Sequence, residues 1–275
     1  MALSGTPFRK MNGLGNDFVI VDLRNAPQSI DPGEVQQIAD RKSGIGCDQF
    51  IAIEAGERPI MSIWNADGSK AEACGNAARC IASILLSEQD DPTVAFETVC
   101  GTINGWAKSE GAISVDMGEP KLRWKQIPLA EQMDDTRYID IKLGPIDNPV
   151  MWGPSAVNMG NPHCIFFVDS VEEHALEKFG PMIEFHPLFP EQANVSIAEL
   201  REEDHLRLRV WERGVGITKA CGTAACAAAV AAHRRRLTGR LVTVEMDGGA
   251  LEIEWRDDNH VIMTGPFELE FEGTL

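Results

Sequence analysis

Ala73-Cys74-Gly75-Asn76-Ala77-Ala78-Arg79-Cys80 and Ala220-Cys221-Gly222-Thr223-Ala224-Ala225-Cys226 are nearly the same stretch, met twice at a separation of 147 residues in a chain of 275. Each sets a cysteine and a glycine before an alanine-rich apolar run, the pattern that places a thiol at the start of a buried helix. A second echo has almost the same spacing: Gly15-Asn16-Asp17-Phe18-Val19-Ile20-Val21-Asp22 against Gly160-Asn161-Pro162-His163-Cys164-Ile165-Phe166-Phe167-Val168-Asp169, offset 145. Two echoes at nearly one offset mark a duplicated unit. Halves related by a pseudo-twofold axis would set the two cysteines face to face across one cleft. That arrangement suits moving a proton from one face of a carbon to the other.

Around these helices the chain reads mostly as strand. Phe18–Val21, Ile60–Trp64, Val94–Thr98 and Ile113–Met117 fall in the first half; Leu206–Trp211, Leu241–Met246, Leu251–Trp255 and Val261–Thr264 fall in the second. Leu206, Leu208 and Val210 alternate with Arg207 and Arg209, the period of a strand with one wet face. Asp247-Gly248-Gly249 between two such runs predicts a hairpin turn. Helix is expected at Pro32–Asp40, Gly75–Ser87, Val171–Phe179 and Gly222–Arg236. The second and fourth are apolar on nearly every side and so need enclosing structure. The expected fold class is α+β: two pseudo-symmetric domains, each a strongly bent, mainly antiparallel sheet wrapped around a central helix. Turn residues at Gly118-Glu119-Pro120 put the boundary there, giving halves 1–120 and 121–264. The stretch Lys121–Pro154 is the least patterned and suggests no role.

A formal charge of −17 and a hydrophobic fraction of 44% describe a core-forming chain with an acidic surface. Such a surface disfavours nucleic acid or an anionic membrane as partner. No charged segment followed by an apolar one opens the chain, and no apolar run reaches membrane length, so a cytoplasmic location is expected. Seven cysteines without a C-x-x-C pair point to reduced thiols rather than a disulfide framework. His233-Arg234-Arg235-Arg236 follows the apolar Ala220–Ala232 stretch and complements the negative end of that helix's dipole.

The helix start supplies the chemistry. Unpaired N–H groups and the positive dipole end should stabilise a thiolate at Cys74 and Cys221 and lower its pKa. Gly75 and Gly222 expose N–H groups to an anion such as a substrate carboxylate. Cys80 and Cys226 lie deeper in the same helices and read as core thiols. Loops entering each cysteine helix, Asn65-Ala66-Asp67-Gly68-Ser69 and Trp211-Glu212-Arg213-Gly214, make Asn65, Glu212 and Arg213 natural contacts for a small zwitterion. His163-Cys164 is adjacent rather than spaced as metal ligands are, so no metal is expected. Gly13-Leu14-Gly15 lacks the third glycine of a dinucleotide fingerprint, and no feature demands a cofactor.

Met11-Asn12-Gly13-Leu14-Gly15-Asn16-Asp17-Phe18 resembles the opening signature of diaminopimelate epimerases. The Asn65, Cys74, His163 and Cys221 blocks resemble further family motifs, in the right order over nearly the whole chain. Ala77 and Ala224 stand where glycine is commoner, which suits a helical first turn. The resemblance implies a cofactor-independent epimerase converting LL-diaminopimelate to the meso form in lysine and peptidoglycan precursor synthesis. It implies a homodimer, with 265–275 returning to the first domain. Cys74 and Cys221 would be the two bases, with His163 and Glu212 tuning or orienting them. Implied substrate contacts are Asn16, Gln49, Asn65, Gly75, Asn76, Asn161, Asn194, Glu212, Arg213, Gly222 and Thr223.

Three other functions fit parts of the pattern. Racemisation of proline, hydroxyproline or histidine could use the same scaffold, but Asn65, Asn194 and Arg213 offer more polar partners than a small apolar substrate needs. A non-catalytic binder would need neither cysteine. A thiol redox protein would be expected to carry a close cysteine pair.

Overall fold

The computed structural model describes residues 3–71, 75–108, 111–145 and 147–275. The chain forms two compact units, Met1–Asp116 with Thr264–Leu275, and Met117–Met263.

In the first unit the strands are β1 (Pro7–Gly13), β2 (Asn16–Asp22), β3 (Gln49–Glu54), β4 (Ile60–Asn65), β5 (Lys70–Ala71), β6 (Thr93–Thr98), β7 (Gly101–Ala107) and β8 (Ile113–Asp116), with helices α1 (Pro32–Ala39) and α2 (Gly75–Leu86). Strand β1 pairs antiparallel with β2, and β2 runs parallel to β3. Antiparallel β4 and β5 follow, then β6 parallel to β4, then antiparallel β7 and β8. The C-terminal strand Glu268–Thr274 closes on the free side of β1. Helix α2 packs against β1, β6, β7 and β8. Its Ala77, Ala78, Cys80, Ile81 and Ala82 are fully buried, so it is enclosed rather than amphipathic. Small side chains set the distance: a Cβ at Gly105 of β7 would lie 2.8 Å from the Ala82 methyl. Helix α1 starts cleanly because the Asp31 carboxylate accepts from the N–H groups of Gly33 and Glu34, with Pro32 in the first turn.

The second unit contains β9 (Lys142–Leu143), β10 (Met151–Trp152), β11 (Ser155–Asn158), β12 (Pro162–Phe167), α3 (Leu176–Glu184), β13 (Asn194–Glu202), β14 (His205–Glu212), β15 (Gly216–Thr218), α4 (Gly222–Arg234), β16 (Leu241–Met246), β17 (Gly249–Trp255) and β18 (Val261–Gly265), the last carrying the chain back into the first unit. The pairing sequence repeats: β11 antiparallel to β12, β12 parallel to β13, β13, β14 and β15 antiparallel, β16 parallel to β14, β17 antiparallel to β16. Helix α4 lies against β11, β12, β13, β14, β16 and β17, with Gly222 to Ala232 all buried. Even the register recurs. Phe18 stands opposite Gln49 in the first parallel pair and His163 opposite Asn194 in the second, each 145 residues on.

Two expectations need correction. Val171–Phe179 is not one helix: a 3-10 turn covers Val171–Glu173, and α3 runs from Leu176 through Pro181 to Glu184. A proline crowds the Cβ of the residue before it, but that residue is Gly180, so the helix continues. The patternless stretch Lys121–Pro154 is structured. It contributes Ile127, Leu129, Ile139, Ile141, Leu143 and Met151 to a buried cluster with Phe166, Leu176, Val195 and Ile197.

The basic run at the C-terminal end of α4 braces that stretch, beyond any service to the helix dipole. Arg235 lies over the rings of Tyr138 and Phe167, 4.2 and 4.8 Å from their centroids. It donates to Ser155 Oγ at 2.8 Å and to the carbonyls of Arg137 and Gly153. Arg234 reaches Thr136 Oγ1 at 3.1 Å.

Candidate active site

The duplication pairs the candidate residues. Asn16 corresponds to Asn161 and Gln49 to Asn194 at the offset of 145; Asn65 corresponds to Glu212, Gly75 to Gly222 and Asn76 to Thr223 at 147. Cys74, the counterpart of Cys221, lies outside the described residues.

In the first unit, Asn16 opens β2, Gln49 opens β3, Asn65 ends β4, and Gly75 and Asn76 form the first turn of α2. Gln49 Nε2 donates to Asn65 Oδ1 at 3.2 Å. Asn65 Nδ2 in turn donates to Ser69 Oγ at 3.1 Å. Asn76 Nδ2 points to Asn16 Oδ1 at 3.5 Å, while its own Oδ1 accepts from the buried Arg79 at 3.1 Å. The five candidates thus gather where three strand ends meet a helix start.

In the second unit, Cys221 is the N-cap of α4, with extended backbone (φ −136°, ψ 112°), and is buried. Its N–H meets Met246 Sδ at 3.4 Å and its Sγ lies 3.4 Å from Thr223 Oγ1. The helix start does not win here. Burial, then the charge of nearby Glu212, push the Cys221 thiol well above its usual range, outweighing Thr223 and the Ala224 N–H. Cys221 therefore rests as a thiol, contrary to the expectation from its position. Glu212 ends β14, and its carboxylate accepts from the Thr218 hydroxyl across the β14–β15 hairpin. Gly214, at φ +74°, makes that hairpin possible.

His163 is fully buried in β12, and its Nε2 lies 2.8 Å from Asn161 Oδ1. An amide oxygen only accepts, so Nε2 carries the proton and Nδ1 is a bare acceptor. Burial, then the Arg213 guanidinium, push its pKa down to about 3, so the ring is neutral. Asn194 is largely committed to the framework. Its Nδ2 donates to the Pro162 carbonyl at 3.0 Å, and its Oδ1 accepts the Arg213 N–H at 3.0 Å. Arg213 Nη1 donates to the Glu191 carbonyl at 3.0 Å. Of the candidate site residues, two have a buried acceptor with no hydrogen-bond partner among the described residues, Gln49 Oε1 and His163 Nδ1. Such atoms are costly unless something fills them, which suits a polar ligand.

One participant was absent from the sequence reading. Glu184, the last residue of α3, accepts from the Trp211 indole N–H and from the Gly214 N–H, each at 2.7 Å. The signal, an acid at a helix C-terminus, was hidden because the helix was expected to stop before Pro181. Cys47, Cys80, Cys164 and Cys226 are buried thiols, and burial raises the pKa of Cys47 to about 11. Among the described residues no group of three His, Cys, Asp or Glu side chains is placed to hold a metal ion, and no helix is long and apolar enough to cross a membrane.

Comparison with known proteins agrees with this architecture. A PhzF-family phenazine biosynthesis protein from Enterococcus faecalis superposes with a TM-score of 0.68 at 15% identity, over 98% of this chain and 99% of its own, a likeness of fold alone. A Brucella anthropi protein named diaminopimelate epimerase is 50% identical over 273 residues, covering 98% of this chain and 91% of its own length. A second so named, from Rhodopseudomonas palustris, is 48% identical over 276 residues, covering 98% and 95%. The profile of the family described as diaminopimelate epimerase matches residues 8–123 and 155–270, one span in each half. Matched along both halves, and about half identical to these relatives over nearly its whole length, this chain belongs to the diaminopimelate epimerase family.

Proposed function

We propose that this chain interconverts LL- and meso-diaminopimelate by moving the α-proton between two sulfurs, Cys74 and Cys221, with no cofactor. The observation that carries the reading is the Cys-Gly helix start retained in both halves of a chain that the family matches in both halves. One thiolate removes the α-proton and becomes a thiol; the other thiol delivers its proton to the opposite face and becomes a thiolate. Cys221, held protonated by burial and Glu212, is the donor in the resting protein. Cys74 is then the acceptor.

The carbanion formed between the two steps spreads its charge into the α-carboxylate. N–H groups in the first turns of α2 and α4, at Gly75, Asn76, Gly222 and Thr223, have no partner within their own helices and would meet those oxygens. Arg213 supplies a cation for the distal carboxylate, and Gln49, Asn65, Asn161 and Asn194 surround the polar ends. Neutral His163 offers an acceptor without adding charge. The protein would work in the cytoplasm as a homodimer, in lysine and peptidoglycan precursor synthesis.

An amino-acid panel in deuterated water tests the substrate. LL- and meso-diaminopimelate should take up α-deuterium, whereas proline, hydroxyproline and histidine should not. Exchange confined to one of those three would overturn the assignment.

A further inference from the structure

Glu184 sits where a carboxylate is doubly disfavoured. It is only 3% exposed, and it is the last residue of α3, where the helix dipole already presents negative charge. Two donors offset that cost, the Trp211 indole N–H and the Gly214 backbone N–H. They flank Glu212 and Arg213 in sequence. One turn earlier on the same helix, Gly180 makes room for the indole, since a Cβ there would lie 2.6 Å from two Trp211 ring atoms. Trp211 and Glu212 are neighbours on β14, so their side chains leave opposite faces. Glu184 therefore grips the loop from the face away from Glu212.

We propose that Glu184 is a positioning residue: its carboxylate clamps the β14–β15 hairpin from behind and so fixes Glu212 and Arg213 for diaminopimelate. The inference rests on the functional reading above. The first unit shows the plainer counterpart. There Gln36 of α1 donates a hydrogen bond to the carbonyl of Asp67, in the loop after Asn65. The candidate residue of that loop, Asn65, is a neutral amide, and the loop is held by a neutral, exposed side chain. The loop carrying a carboxylate and a guanidinium is held by a buried charge with two short bonds. Charge-assisted bonds are the stronger and more directional kind.

Glu184→Gln keeps the shape but can accept from only one of the two donors without turning its own NH2 towards the other. The KM for diaminopimelate should rise roughly tenfold, with kcat falling less. In an Arg213→Met background the same substitution should cost less than about twofold in KM, because the clamp acts through the loop that carries Arg213. The Trp211 indole ¹H–¹⁵N resonance, assigned by its loss in Trp211→Phe, should move upfield in Glu184→Gln whether or not substrate is present. If Glu184→Gln does not fold, Trp211→Phe breaks one bond and keeps the aromatic volume, and a few-fold rise in KM is expected. An unmoved indole resonance, an unchanged KM in the folded variant, or equal factors in both backgrounds would each overturn the positioning role. A wild-type protein inactive on diaminopimelate overturns the functional reading itself, and with it the purpose of the clamp.

Discussion

Cys221 caps a helix, yet burial and the Glu212 carboxylate keep its thiol protonated. With a folded pKa above the ordinary 9.0, the stability contributed by the thiol form is complete below about pH 9 and is lost as pH rises. Glu212→Gln removes the second cause. Alkylation of Cys221 by iodoacetamide at pH 8 should then be several-fold faster than in wild type, measured by peptide mapping; an equal or slower rate would mean Glu212 does not set that pKa. His163 titrates the other way. Its folded value near 3 lies below the unfolded 6.5, so the stability of the neutral ring is full above about pH 6.5 and is lost as pH falls towards 3. Urea unfolding at pH 7 and pH 5 should show that loss in wild type and a smaller one in His163→Gln. Arg213→Met should raise the KM for diaminopimelate by tenfold or more through loss of a charge-assisted partner. An unchanged KM would place the distal carboxylate elsewhere.

Elements were legible where their pattern had one physical reading. Helices α2 and α4 announce themselves by a Cys-Gly start and an apolar run, and β14 by alternating leucine and arginine. Gln49–Glu54, Pro162–Phe167 and Asn194–Glu202 were not singled out. Their middles are buried on both faces, in or beside the parallel pairs, so no alternation remains to mark a strand. Both cysteine blocks and the Glu212–Arg213 loop were readable, because chemistry-bearing residues sit at element starts and ends. Glu184 was not, because its importance depends on an indole and a turn that come 27 and 30 residues later. The packing of α3 on Trp211 gives a test at this scale. Gly180→Ala puts a methyl against the indole and should destabilise by about 1–3 kcal/mol. Thermal unfolding reads this as a lower Tm, and an unchanged Tm would mean the helix shifts freely.

At the scale of the molecule, duplication is the organising fact, carried through strand order, pairing sense and register. It gives each half a Cys-Gly sequence whose glycine opens a helix, Gly75 in α2 and Gly222 in α4, while letting the surroundings diverge. Among the candidate residues of the first unit the side chains around that start are neutral amides; those of the second include a carboxylate, a guanidinium and an imidazole. A two-sided substrate with one reacting centre and one charged distal end needs that asymmetry. The central claim is that one sulfur from each half takes part in every turnover. The direct measurement is interconversion of LL- and meso-diaminopimelate by folded Cys74→Ala and Cys221→Ala proteins, checked for wild-type Tm, beside Cys80→Ala and Cys226→Ala. Each of the first two should lose turnover by roughly 10²–10⁴-fold, and the last two should lose only stability. Near wild-type turnover in either folded Cys74→Ala or Cys221→Ala would contradict the account.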